Sequence, residues 1–363
     1  MRTRTTKPTL DGFHMPAEFD EHFATLLMWP ERRDIWRNGA RPVQRIIVQL
    51  AETISQFEKV IVGVLPTQFM NAKSLLPDNL SVMEVTYDDI WCRDTGPSFI
   101  TNGTELRGVD WVFNSWGGID EGSYYPWELD DLLPQKILEW FSADRYKCDM
   151  VLEGGAIHVD GEGTLIAIKS CILNKNRNPN KNISDVEEIL KDHLGVSKII
   201  WLENGLYLEE NNGHIDNICS FIRPGEVLLA WTEDPNDPQY AVSHSAYKIL
   251  SETPDAQGRN LRIHKLLMPP PQFMTQDESD GVEFSQYAIP RLGGDRLPAS
   301  YMNFYFINGG AIVPKFGCRE DDLAMDVFRS VMPERKIIPI PAREFLLGGG
   351  GIHCVTAQIP AIK

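Results

Sequence analysis

The feature that most restricts this chain is a cryptic repeat. Four segments read as an amphipathic helix followed by a short β-branched strand. They are Pro42–Phe57 then Lys59–Val64, Ser184–Leu194 then Lys198–Leu202, Pro238–Leu250 then Leu261–Leu267, and Asp321–Met332 then Lys336–Ile340. A weaker fifth lies at Leu129–Phe141 before Cys148–Leu152. Apolar residues recur at helical spacing, as in Ile46, Leu50 and Ile54, which marks a buried face. Ser184 with Glu187 three residues on reads as a capping box. Between these units run hairpin-like segments, Asp94–Trp111, Gly154–Lys169, Gly213–Trp231 and Ser300–Phe316. Each has a turn dipeptide between two apolar runs: Asn102-Gly103, Asp160-Gly161, Pro224-Gly225 and Asn308-Gly309. The strand-like segment Ala24–Trp29 lacks a partner before it, and His353–Ile359 lacks one after it.

Pairing those two ends completes a fifth unit and removes the exposed sheet edges. The expected fold is therefore α/β, with five βαβ-like units around a pseudo-axis in one domain, residues 1–363, without a linker. An open doubly wound sheet also alternates strands and helices and is the competing architecture. The segment Pro269–Pro298 is long, polar and rich in Pro and Gly, the pattern of a lid or a mobile loop.

The formal net charge is −16. A nucleic-acid partner is excluded, because such a partner needs a basic face to displace counterions. A cationic small substrate suits that charge. The longest apolar run is Ala24–Trp29, too short to span a membrane. No apolar stretch follows Arg2, Arg4 and Lys7, so no signal peptide is expected. The six cysteines form no C-x-x-C pair, which fits free thiols in a reducing cytoplasm. No phosphate loop or G-x-G-x-x-G is present, and no cofactor is expected.

Reactive residues fall at equivalent places in the repeat. Asp94 opens the first hairpin, Glu153 the second, and His214 with Asp216 the third; Cys354 opens the lone last strand. Units related by rotation bring these points together at one end of the axis. Several carboxylates at one point repel each other unless a cation sits between them. A planar guanidinium is the natural cation, since its five N–H donors match carboxylates bidentately. It also favours a thiolate at Cys354. The chemistry that follows is attack by Cys354 on the guanidinium carbon, with His214 moving protons and ammonia leaving. The Gly348–Gly351 run allows close backbone approach beside the nucleophile. His214, Asp216, His353 and Cys354 offer four zinc ligands on paper, but no H-E-x-x-H or C-x-x-C spacing accompanies them, and no metal is expected. Strand alternation turns His353 away from Cys354, so His353 is read as structural and Cys92 as packing.

Six motifs in register resemble the agmatine deiminases, relatives of the bacterial peptidylarginine deiminase in the guanidino-group-modifying superfamily. They are WCRDTGPSF (Trp91–Phe99), FNSWGG (Phe113–Gly118), LEGGAIHVDGEGT (Leu152–Thr164), NGHIDN (Asn212–Asn217), ASYMNFY (Ala299–Tyr305) and GGGGIHCVTAQIP (Gly348–Pro360). The resemblance implies a five-fold pseudosymmetric α/β propeller (a pentein), with agmatine hydrolysed to N-carbamoylputrescine and ammonia. It implies Cys354 as nucleophile, His214 as acid/base, Glu153 as the partner of that histidine, and Asp94 and Asp216 as guanidinium carboxylates. Trp91 and Gly351 are implied beside the substrate, and Glu210 as the acid for the distal amine of agmatine. A homo-oligomer is implied as well. Alternatives are a deiminase of the same fold acting on arginine or peptidyl-arginine, and a non-catalytic guanidine-binding paralogue.

Overall fold

The computed structural model describes residues 1–362. Its strands form separate sheets rather than one continuous doubly wound sheet. Five of the sheets share one three-strand plan: an antiparallel pair, then a helical crossover to a parallel third strand. In the second unit Ser98–Thr101 pairs with Leu106–Val112, which lies parallel to Asp144–Val151. The third joins Ile157–Val159, Thr164–Ile168 and Lys198–Leu202. The fourth joins Cys219–Arg223, Glu226–Trp231 and Arg262–Leu267. The fifth joins Tyr305–Ile307, Gly310–Lys315 and Lys336–Pro341. The first is assembled from both ends of the chain. Ala357–Pro360 runs antiparallel to His22–Met28, which is parallel to Lys59–Val64. The expected pairing of the two ends is therefore present.

The crossover helices lie where the periodicity placed them: Arg41–Ile54, Leu133–Trp140, Ile183–Leu194, Gln239–Glu252 and Glu320–Val331. Each lays an apolar stripe into the layer between neighbouring sheets, as where Phe328 packs with Leu228 and Leu266 of the fourth sheet and Val313 of the fifth. The first buries Val43, Ile47, Leu50 and Ile54, which removes that face from water.

Three local expectations change. The helix Ile183–Leu194 is capped by Asn182 and Asp185, not by Ser184 and Glu187. The asparagine oxygen accepts from two orphan N–H groups there, and Glu187 instead accepts from Trp201 Nε1 at 2.9 Å. The last strand begins at Ala357, so His353 and Cys354 sit in the turn before it. The segment Pro269–Pro298 is not bare loop. It carries the helix Gln276–Asp280, capped by Thr275 and Glu278, and a two-strand ribbon between Gln272–Phe273 and Arg296–Leu297. Among the described residues no helix is long and apolar enough to cross a membrane.

Candidate active site

Each unit delivers a polar residue from the short turn that precedes its first strand. A one-turn helix, Cys92–Thr95, carries Asp94. Glu153 and His214 sit at the N-caps of 3-10 turns, and Asp216 lies within the second of these. Asn303 precedes Tyr305–Ile307, and Cys354 precedes Ala357–Pro360. A turn directly before a sheet strand gives a side chain both a fixed anchor and an inward aim, which positions a site more tightly than a free loop.

These side chains converge. A Cβ built on Gly155 would stand 2.6 Å from His214 Nδ1, 2.9 Å from Asp94 Oδ1 and 3.0 Å from Asp216 Oδ2. Only glycine leaves that point open. Cys354 Sγ lies 3.6 Å from Asp216 Oδ2 and 3.3 Å from Asn303 Nδ2. Behind His214, its Nε2 stands 3.9 Å from Glu153 Oε2, while Nδ1 stands 3.8 Å from Asp94 Oδ2. Asp94 accepts from the Gly155 N–H at 2.8 Å and from Trp116 Nε1 at 2.9 Å. Trp116 is held in the left-handed backbone region at φ 63°, a costly conformation for a bulky residue. The geometry aims its indole N–H at the carboxylate.

The electrostatics follow from burial and crowding. Burial, then Asp216 and Glu153, push the Asp94 carboxyl above its ordinary value, against the pull of His214 and the Gly155 N–H. Burial alone would favour a neutral His214, but Asp94, Cys171 and Asp216 outweigh it and raise its pKa well above the ordinary value. Burial, then Asp216 and Asp94, hold the Cys354 thiol well above its ordinary value. The same Asp216 is held low, against its own burial, by His353, whose Nδ1 is 2.9 Å from Asp216 Oδ2. His353 Nε2 meets Glu18 Oε2 at 2.6 Å. His353 thus orients Asp216 from behind. The expected divergence of His353 from Cys354 is overturned, because both lie in a turn rather than a strand and both side chains approach Asp216 Oδ2.

The cavity beside this centre is lined by Trp91, Asp94, Trp116, Tyr124, Arg291 and Cys354, with Glu210 and Gly348–Gly350. Trp91 lies against Gly350, where a Cβ would come within 2.5 Å of its ring. Gly351 packs against Asn303 instead of lining the cavity with its three neighbours, because a Cβ there would fall 2.3 Å from Asn303 Oδ1. Glu210 stands at the far end, where Arg291 forms an ion pair with it and donates to Gly348 O at 2.8 Å. The free volume is about 30 Å³, room for a single water. Cys92 donates to the Val355 carbonyl at 3.2 Å and turns away from the site, as its packing role required.

Four residues beyond the sequence reading belong to this site. Asn303 occupies the equivalent place in the fifth unit, so the repeat itself carried its signal. Trp116 lies in a quoted motif without chemistry of its own. Arg177, whose Nε meets Glu153 Oε1 at 2.5 Å, and Arg291 come from irregular segments with no local pattern.

A family model described as Porphyromonas-type peptidyl-arginine deiminase matches residues 14–360. The agmatine deiminase of Ectopseudomonas mendocina is 48% identical over 364 residues, covering 99% of each chain. That of Pseudomonas aeruginosa strain LESB58 shows the same identity and coverage. The solved agmatine deiminase of Enterococcus faecalis superposes with a TM-score of 0.97 at 43% identity, over 100% of both chains. A C. jejuni agmatine deiminase with substrate bound gives 0.82 at 27% identity, over 97% of this chain and 96% of that one. With a match that reaches nearly from end to end and a site built at the same point in every unit, the chain belongs to the Porphyromonas-type peptidyl-arginine deiminase family.

Proposed function

We propose that this chain hydrolyses agmatine to N-carbamoylputrescine and ammonia through a covalent intermediate on Cys354. The observation that carries the reading is that Asp94, Asp216 and His214 crowd together against Gly155, with the Cys354 sulfur beside Asp216. A guanidinium entering from the cavity lined by Asp94 and Cys354 receives the Asp94 and Asp216 carboxylates as acceptors. Its charge relieves their repulsion and favours the Cys354 thiolate, the thiol proton passing to solvent; in the free protein burial, then those same carboxylates, hold the thiol well above its ordinary value.

The Cys354 thiolate then forms a C–S bond to the guanidinium carbon. His214, protonated at rest by its acidic surroundings, gives a proton to one amino nitrogen. The C–N bond breaks and ammonia leaves, so an S-alkylthiouronium remains. Water loses a proton to His214 and attacks the same carbon; the C–S bond breaks with its electron pair returning to Cys354 sulfur, which takes the hydroxyl proton of the ureido group, and the neutral ureido product departs. Glu153, anchored by Arg177, stabilises the imidazolium. Trp91 covers the guanidinium plane beside Gly350, and Glu210 receives the distal amine. We read the five units as copies rotated about one axis in a single domain, closed by the meeting of the chain ends. The protein is read as a cytoplasmic homo-oligomer that feeds polyamine formation.

The agmatine deiminases among its relatives support this substrate. One observation favours a second reading, arginine as substrate: Arg291 already neutralises Glu210 and could meet a carboxylate there. Side-by-side turnover of agmatine and arginine separates the two. Mass spectrometry after brief incubation with agmatine tests the mechanism. An adduct on the Cys354 peptide and loss of turnover in Cys354→Ser are expected. An unmodified Cys354 peptide with product accumulating would sink the covalent route.

A further inference from the structure

We propose that Glu153, Cys171 and His214 form a binding site for a thiophilic divalent cation, zinc above all, whose occupation stops catalysis. The inhibition rests on His214 being the acid/base of the proposed reaction; the binding does not. One oxygen, one sulfur and one nitrogen of these buried residues all lie within 4.8 Å of one another. Cys171 Sγ is 4.0 Å from Glu153 Oε2, and that oxygen is 3.9 Å from His214 Nε2. Ligand atoms around a tetrahedral zinc stand roughly 3–4 Å apart, so a small inward shift of each side chain closes the set.

Independent features point the same way. His214 Nε2 is fully buried and has no hydrogen-bond partner, an arrangement that costs free energy until something occupies the space in front of it. Glu153 is oriented by Arg177 through its other oxygen, the kind of outer partner that fixes metal-binding carboxylates. Cys171 has no part in the proposed reaction. It lies in the helical turn Lys169–Ile172, directly after the antiparallel strand pair of the third unit. A thiolate in the set selects zinc or cadmium over magnesium or calcium. Asp94 and Asp216 add negative charge close by.

The consequence is chemical. Binding releases the Cys171 proton and the Nε2 proton of the His214 imidazolium to solvent and forms a metal–sulfur and a metal–nitrogen bond. The metal also takes the Nε2 lone pair of His214, so the ring no longer cycles between neutral and protonated forms. Its Nδ1, which faces Asp94 Oδ2 at 3.8 Å, then loses its role as base.

Cobalt(II) titration of the reduced, full-length protein tests the site, because a thiolate–cobalt bond absorbs in the near ultraviolet. With Cys354→Ala, one equivalent and the band are expected; with Cys171→Ala and Cys354 intact, the band is expected to vanish. The opposite pattern, or no band in either protein, overturns the proposal. Zinc-edge X-ray absorption on the Cys354→Ala protein needs no change at Cys171. One sulfur around zinc is expected, and a shell of nitrogen and oxygen alone overturns the site. In the unsubstituted enzyme micromolar zinc should abolish agmatine turnover and a chelator restore it, while Cys171→Ser should need about 10-fold more zinc or more. Equal zinc sensitivity of the two proteins overturns the inhibitory link. Absence of turnover in metal-free protein would remove the agmatine reading instead and leave the cobalt result to decide the site.

Discussion

The two ends of the cavity are built by different means. At the end where the proposed reaction places the guanidinium, Asp94, Glu153, His214, Asp216 and Cys354 come from turns directly before sheet strands and are all buried. At the tail end Glu210, Asn211 and Arg291 come from irregular segments, and the Glu210 side chain is 31% exposed. The contrast separates two tasks. Bond-breaking groups must be held in place and kept dry, so they sit on the scaffold. Groups that choose a substrate tail sit on loops, which can move or change without loss of the fold.

That contrast can be broken by substitution. Replacing His214 with Asn should lower kcat by about 10²–10⁴-fold while substrate binding survives. A loss confined to KM would move His214 out of the chemistry. Glu210→Gln should act the other way, raising KM for agmatine by about 10-fold or more, the worth of a charge-assisted hydrogen bond, with kcat little changed. If kcat falls instead, the tail end takes part in catalysis and the division fails. Arg291 sharpens the comparison further. It lines the same cavity and pairs with Glu210, so under the proposed function the distal amine of agmatine competes with it for that carboxylate. Arg291→Ala should lower KM severalfold, whereas a rise in KM would show that Arg291 holds the substrate.

The smallest effect lies under the tail wall. Asp130 receives the Tyr124 hydroxyl, and Tyr124 lines the cavity. Burial pushes the Asp130 carboxyl up to about 8. Its folded value lies above its unfolded value, so the folded state keeps the proton longer. Its contribution is complete below the unfolded value near 3.8 and declines as pH rises toward 8. Thermal unfolding followed across that window should show a flatter dependence in Asp130→Asn than in the unsubstituted chain. An unchanged slope would mean that Asp130 is already ionised at low pH.

Much of this was legible in the residues. Helix and strand positions followed from periodicity because each crossover helix buries a single apolar face between adjacent sheets. Asp94, Glu153, His214 and Asp216 were legible because the repeat places them at corresponding turns. The cap at Asn182 was misread because Ser184 two residues later carries an equally good local pattern, and only the backbone path shows which oxygen meets the free N–H groups. The strand start at Ala357 was misread because His353–Val355 is apolar enough to pass for strand, yet it must turn to bring Cys354 toward Asp216. Arg177 and Arg291 left no pattern, since each meets a partner far away along the chain.

The chain by itself determined the number of units, their order and the chemical identity of the groups at each turn, because periodicity and turn residues act over short spans. Tertiary structure alone decided that Asn303 completes the set around Cys354, that Gly351 faces Asn303 rather than the cavity, and that Arg291 closes the tail on Glu210. Those outcomes depend on contacts between distant segments. Sequence spacing carries no distance for such contacts until the sheets have packed.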